Sequence, residues 1–110
     1  MYEYRARVLS VVDGDTLHAE VDLGFDVRVR MTIRLFGINA PEMKTPAGPV
    51  AKSALIDRLI STDGSFAEVT LFTIKDKKEK YGRYLGTIVR NGINLNEWLV
   101  ENGYAVIYQP

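Results

Sequence analysis

Arg34-Leu-Phe-Gly-Ile-Asn-Ala-Pro-Glu42 is the stretch on which the fold turns. It opens as a strand, with Ile33 and Leu35 on one face and Thr32, Arg34 and Phe36 on the other. Gly37 then loosens the strand, and Pro41 has no N–H to give to a ladder, so the backbone must leave the sheet. An arginine, an amide oxygen and a carboxylate stand at that exit within nine residues. A cation, a neutral oxygen ligand and an acid or base at a strand end are the parts of a phosphate-handling site. Asp13-Gly-Asp15-Thr16 upstream and Lys80-Tyr-Gly-Arg83 downstream are the two stretches able to complete it.

Working outward, Tyr4 to Val12 alternates as a first strand. Asp13-Gly14 turns the chain, and Leu17, Ala19, Val21 and Leu23 make one face of a second strand. After Leu23-Gly24-Phe25-Asp26 the third strand turns Val27, Val29, Met31, Ile33 and Leu35 inward and Arg28, Arg30, Thr32 and Arg34 outward. Three strands with tight turns predict an antiparallel meander. Met43 to Gly48 reads as a loop. Pro49 suits a first helical turn, and Ala51, Leu55 and Leu59 recur at helical spacing until Ser61-Thr-Asp-Gly64. Phe66 to Ile74 predicts a fourth strand, Lys75 to Lys80 a charged loop, and Tyr84 to Val89 a fifth strand. Asn94 with Glu97 forms a capping-box pattern ahead of a short helix faced by Leu95, Trp98 and Leu99. Gly103 falls beyond its end, and Tyr104 to Tyr108 closes as a short extended segment. The expectation is a mainly β (α+β) domain: a five-stranded Greek-key OB-fold barrel with two short helices.

The chain has 110 residues, enough for one domain spanning 1–110. Fourteen Lys and Arg balance fourteen Asp and Glu. That balance argues against a protein that coats nucleic acid by bulk charge, though not against a local basic site. The absence of cysteine excludes disulfides and thiolate metal sites. Charged residues interrupt the first twenty positions, so they hold no signal-peptide core, and no apolar run approaches the ~20 residues that span a membrane. The expected compartment is cytoplasmic; a secreted chain whose leader has been removed would read the same.

Singly, the candidate residues are weak. Asp13-Gly14-Asp15 is an ordinary hairpin turn. Arg34 shares its face with Arg28 and Arg30, a pattern that fits a solvated basic stripe. Glu42 could be any loop residue, and the lysines at 75, 77, 78 and 80 a solvated hairpin tip. His18 is expected to be exposed on a strand face, and Trp98 to belong to the core. Together they suit phosphodiester hydrolysis. Two guanidinium forks neutralise charge building on phosphorus. One hard cation polarises the phosphate, and a carboxylate takes the proton of the attacking water.

In order and spacing, Asp13-Gly-Asp-Thr16, Arg34-Leu-Phe-Gly-Ile-Asn-Ala-Pro-Glu42 and Lys80-Tyr-Gly-Arg83 resemble the staphylococcal (micrococcal, thermostable) nuclease family. The likeness runs from about Arg7 to Ala105 and includes Asn96-Glu-Trp-Leu-Val-Glu-Asn-Gly103. It implies a calcium-dependent phosphodiesterase acting on single-stranded DNA or RNA. By that resemblance Asp15 is a calcium-binding carboxylate, Asn39 falls at a second ligand position and Ala40 supplies a backbone carbonyl. Glu42 activates water, Arg34 and Arg83 hold the scissile phosphate, and Lys80 and Tyr81 hold a nucleotide's terminal phosphate and base. Asn39 departs from the aspartate of the best-known member, and the loss of that charge predicts a weak site, on the order of 10⁻⁴–10⁻³ M without substrate. Magnesium is the alternative metal, since both are hard cations. The family's third helix is missing from this sequence. The chain is expected to be a monomer, with a dimer as the form in which a partner supplies that helix. The competing reading, motivated by Asn39, is a non-catalytic OB-fold module that binds nucleic acid or protein.

Overall fold

A computed structural model describes residues 2–78 and 82–109, with side chains throughout except at 74–78. Three long strands come first: β1 (Tyr2–Asp13), β2 (Thr16–Asp22) and β3 (Arg28–Leu35). The short β4 (Ile38–Asn39) precedes helix α1 (Ala47–Leu59). Then follow β5 (Glu68–Lys78), β6 (Tyr84–Arg90), β7 (Ile93–Asn94), helix α2 (Leu95–Glu101) and β8 (Val106–Ile107). The sheet order is β3-β2-β1-β5-β6-β7, and β3 also pairs with β6, which closes a five-stranded barrel. The predicted OB-fold-like, mainly β architecture is therefore the one observed.

All neighbours in the barrel are antiparallel except at the closing seam, where Ile33, Arg34 and Leu35 run parallel to Tyr84, Leu85 and Gly86. Leu17, Ile33, Leu35, Leu71 and Ile88 fill the interior, with Leu55 and Leu59 of α1 and Leu95 and Leu99 of α2 joining the same cluster. Among the described residues, no helix is long and apolar enough to cross a membrane.

The predicted alternation breaks in two places. The β1–β2 register shifts between Val8 and Ser10, so Val11 rather than Val12 turns inward. Such a bulge flips the side-chain phase of everything beyond it. At the far end of the β2–β3 hairpin Leu23, Val27 and Val29 are exposed despite their inward phase, because the hairpin outruns the barrel. The helix begins at Ala47, within the stretch that reads as a loop, and Pro49 stands in its first turn as expected. The fourth long strand continues to Lys78, which pairs with Tyr84, where the charge pattern predicts a loop.

Trp98 is partly buried. It stacks on Tyr104 at 5.6 Å and lies under the Arg58 guanidinium at 4.3 Å. Its assignment to the core face of α2 holds, with a cation–π cover on the outer side.

Candidate active site

The site forms where two loops meet the start of the barrel seam. In the β1–β2 turn the Asp15 amide donates to Asp13 Oδ1 at 3.0 Å, the Asx-turn geometry that Asp-Gly-Asp favours. The Asp15 carbonyl accepts from the Leu35 amide at 2.8 Å, which fixes the turn against β3. Gly14 is needed here for closeness rather than for an unusual backbone angle. A Cβ on it would lie 2.7 Å from Ala40 Cβ and 2.8 Å from Ala51 Cβ. The turn, the β4 loop and α1 thus touch through three of the smallest residues.

Asp15 is buried, with 8% of its surface exposed. Its Oδ1 accepts from the Thr16 hydroxyl at 3.0 Å, and its Oδ2 accepts from the Ala40 amide at 2.7 Å. Arg34 Nη2 stands 3.4 Å from the same Oδ2 and donates to Asn39 Oδ1, while Nη1 donates to the Leu35 carbonyl at 2.8 Å. Arg34 is therefore on the outer face, as the alternation requires, but it is not solvated. The two loops fold over it and hold it by carboxylate, amide and carbonyl oxygens. Asp15 Oδ2 and Asn39 Oδ1 thus converge on one nitrogen, Arg34 Nη2. Burial pushes the Asp15 carboxyl above its ordinary 3.8, and a hydrogen bond with the Asp13 carboxyl pushes the same way; the Ala40 amide and the Arg34 guanidinium oppose the rise.

Asn39 is positioned from a distance in sequence. Ile38 and Asn39 pair antiparallel with Ile107 and Val106, and the Tyr108 amide donates to the Gly37 carbonyl at 2.8 Å. Phe36, just ahead of β4, donates its amide to the Gly86 carbonyl at 2.8 Å. The buried Asn96 of α2 spans this junction. Its Nδ2 donates to the Phe36 and Gly86 carbonyls at 3.0 and 3.1 Å, and its Oδ1 accepts from the Ile88 amide at 3.2 Å.

Glu42 lies outside the contact cluster. Its side chain is exposed and pairs with Lys44 at 3.2 Å. Its carbonyl accepts from the Thr45 amide and hydroxyl, and Gly48 packs so closely on that carbonyl that a Cβ would come within 2.3 Å of its oxygen. Arg83 is half-buried immediately before β6. It stands one residue ahead of Tyr84, which pairs with Ile33 at the start of the seam. Lys80 and Tyr81 lie outside the described residues. Among the described residues no group of three or more His, Cys, Asp or Glu converges as a metal cage.

Sequence reasoning missed Asn96, Gly14 and Gly48. An asparagine between Leu95 and Trp98 is the one available signal for the first. The glycines show their role only once the elements they separate are in contact.

The description "Staphylococcal nuclease homologue" belongs to the family whose pattern matches residues 32–110. The chain belongs to the staphylococcal nuclease family. Similar members include an uncharacterized protein of Bacillus anthracis, 33% identical over 96% of this chain and 52% of the relative. Endonuclease YhcR of Bacillus subtilis is 34% identical over 96% of this chain but only 9% of its own length. A probable staphylococcal-like nuclease, CAN2 of Oryza sativa, is 34% identical over 66% of this chain and 18% of its own. Within the staphylococcal nuclease family, then, this chain spans about half or less of these larger relatives.

Proposed function

We propose that this domain hydrolyses phosphodiester bonds of single-stranded DNA or RNA, with Arg34, Arg83 and Glu42 as the acting side chains. The observation that carries this reading is the convergence of Asp15, Asn39 and Arg34 at the barrel seam, which opens one residue after Arg83.

Arg34 spends its inward N–H groups on Leu35, Asn39 and Asp15 and keeps others to grip a phosphate oxygen. Arg83 supplies a second guanidinium, so that charge building on the phosphoryl oxygens meets two fixed cations. Glu42 takes a proton from the water that attacks phosphorus; the ester P–O bond breaks and the leaving oxygen is protonated by solvent. To do so Glu42 must leave Lys44, which costs little, since exposed ion pairs contribute only about 0–1 kcal/mol.

The hard oxygens of Asp15 and Asn39 suit calcium or magnesium in kind, but the point on which they converge is taken by Arg34 Nη2, so an ion would have to bind beside the guanidinium through the oxygens' remaining lone pairs. When bound, such an ion supplies Lewis-acid polarisation of the phosphate. With one carboxylate in the set, its affinity is expected to be low without substrate.

The test is hydrolysis of heat-denatured DNA and of RNA with calcium, with magnesium and with chelator, beside Glu42→Gln and Arg83→Ala. Metal-dependent cleavage that falls roughly 10²–10³-fold in Arg83→Ala supports the reading. Unchanged turnover in both variants would sink it. The outward turn of Glu42 favours a second reading, a binding module without catalysis; binding without cleavage under any metal is its outcome.

A further inference from the structure

Arg34 is the inner end of a row. Arg28, Arg30, Thr32 and Arg34 occupy alternate positions of β3, so neighbouring side chains stand ~6.8 Å apart along one face. Arg28 and Arg30 are exposed. They lie opposite Asp22 and Glu20 of β2, yet among the described residues neither guanidinium forms an ion pair. On its other side β3 meets β6 only from Ile33 to Leu35, so Arg28 to Thr32 lie along an open edge of the barrel. A groove of about 340 Å³ runs from this row across β2 to β1, lined by Arg30, Met31 and Thr32, by His18, and by Leu9 and Ser10. Its floor exists because the β1 bulge displaces Leu9 and Ser10 from the regular phase, and its wall is fixed by the contact of the Thr32 hydroxyl with His18 Nδ1 at 3.0 Å.

We propose that Arg30 and Arg28 are a phosphate track that carries the substrate strand away from the scissile bond, the groove receiving the sugar and base of the adjoining nucleotide. The proposal rests on the nuclease reading above and adds which residues hold the flanking strand. The row is straight and its spacing is of the order of that between successive phosphates in an extended single strand. The chain is neutral overall, so attraction to a polyanion must come from a local row of cations such as this one. Glu20 and Asp22, the β2 partners of Arg30 and Arg28, repel phosphates and keep them on the arginine row, while the uncharged sugar and base reach over His18 into the groove.

The experiment measures binding of a short fluorescent single-stranded oligonucleotide, in chelator, from about 50 to 200 mM salt. Wild type is compared with Arg28→Ala/Arg30→Ala and with Arg28→Lys/Arg30→Lys, and cleavage of a dinucleotide by each is followed in parallel. The alanine pair is expected to bind roughly tenfold more weakly at the low-salt end and to lose about 1.4 from the slope of log affinity against log salt, 0.7 for each contact. The lysine pair is expected to restore the slope. An alanine pair with the wild-type slope, in a protein that still cleaves the dinucleotide, overturns the track and leaves the nuclease reading standing. A wild type that neither binds the oligonucleotide nor cleaves the dinucleotide overturns both.

Discussion

Asp15 and Arg34 share one physical problem: each is a charge taken out of water, and each is made tolerable by the other. The balance is not even. Burial and the neighbouring Asp13 raise the Asp15 carboxyl above 3.8 despite Arg34. Below pH 3.8 the group is protonated in both folded and unfolded chains and contributes nothing to the pH dependence. As pH rises from 3.8 through the raised folded value, the unfolded chain loses its proton more readily, so the metal-free fold loses stability over that window. Asp15→Asn removes this loss. The unfolding free energy of Asp15→Asn relative to wild type should therefore rise over the same interval, as read by denaturant titration in chelator. A difference that is flat with pH would show that Asp15 is not the strained group. The alternation placed Arg34 on the correct face but could not show its burial, because the covering groups come from loops at 13–16 and 38–40 that no local pattern brings together.

The elements tell a similar story. Strands with clear alternation, both helices and the Asn94 cap, whose side chain accepts from the Glu97 amide at 3.1 Å, were legible in the sequence. The end of β5 was not, since charged residues in a paired strand look like a loop until the partner Tyr84 is known. Nor was the role of the last extended segment, which serves as the partner strand of Asn39. Between these elements Asn96 acts as a rivet from α2 to β6 and to Phe36. Asn96→Ala leaves one buried donor and shares of two carbonyls unpaired, and should cost about 2–4 kcal/mol in unfolding free energy. It should also lower activity at temperatures where the variant is fully folded, since Phe36 leads directly into β4. A variant as stable as wild type would mean that water or a neighbour replaces these bonds.

For the whole molecule, the decisive feature is how little closes the barrel. The seam of β3 with β6 is three residue pairs long, with Arg34 in its middle pair and Arg83 one residue ahead of its first. Gly86 sits in it because a Cβ would reach 2.5 Å from Leu71 Cδ1 and 3.3 Å from Ile33 Cγ2. Gly86→Ala should destabilise the fold by about 1–3 kcal/mol and speed hydrogen exchange at the seam amides before those of β1 and β2. Uniform exchange across the barrel would show that the seam is not its weakest part. The OB-like topology could be inferred from element order, but this seam could not, because its length depends on where the strands diverge.

The pairing of Ile38 and Asn39 with Ile107 and Val106 has a consequence for synthesis. At about 5–20 residues per second, a ribosome reaches Val106 roughly 3–13 s after it has made Asn39. During that interval the nascent chain already holds Asp15 and Arg34, but the loop that should present Asn39 lacks its partner strand. The loop that carries Asn39 is thus the last part of the candidate site to gain its support, after Asp15 and Arg34 have both been made.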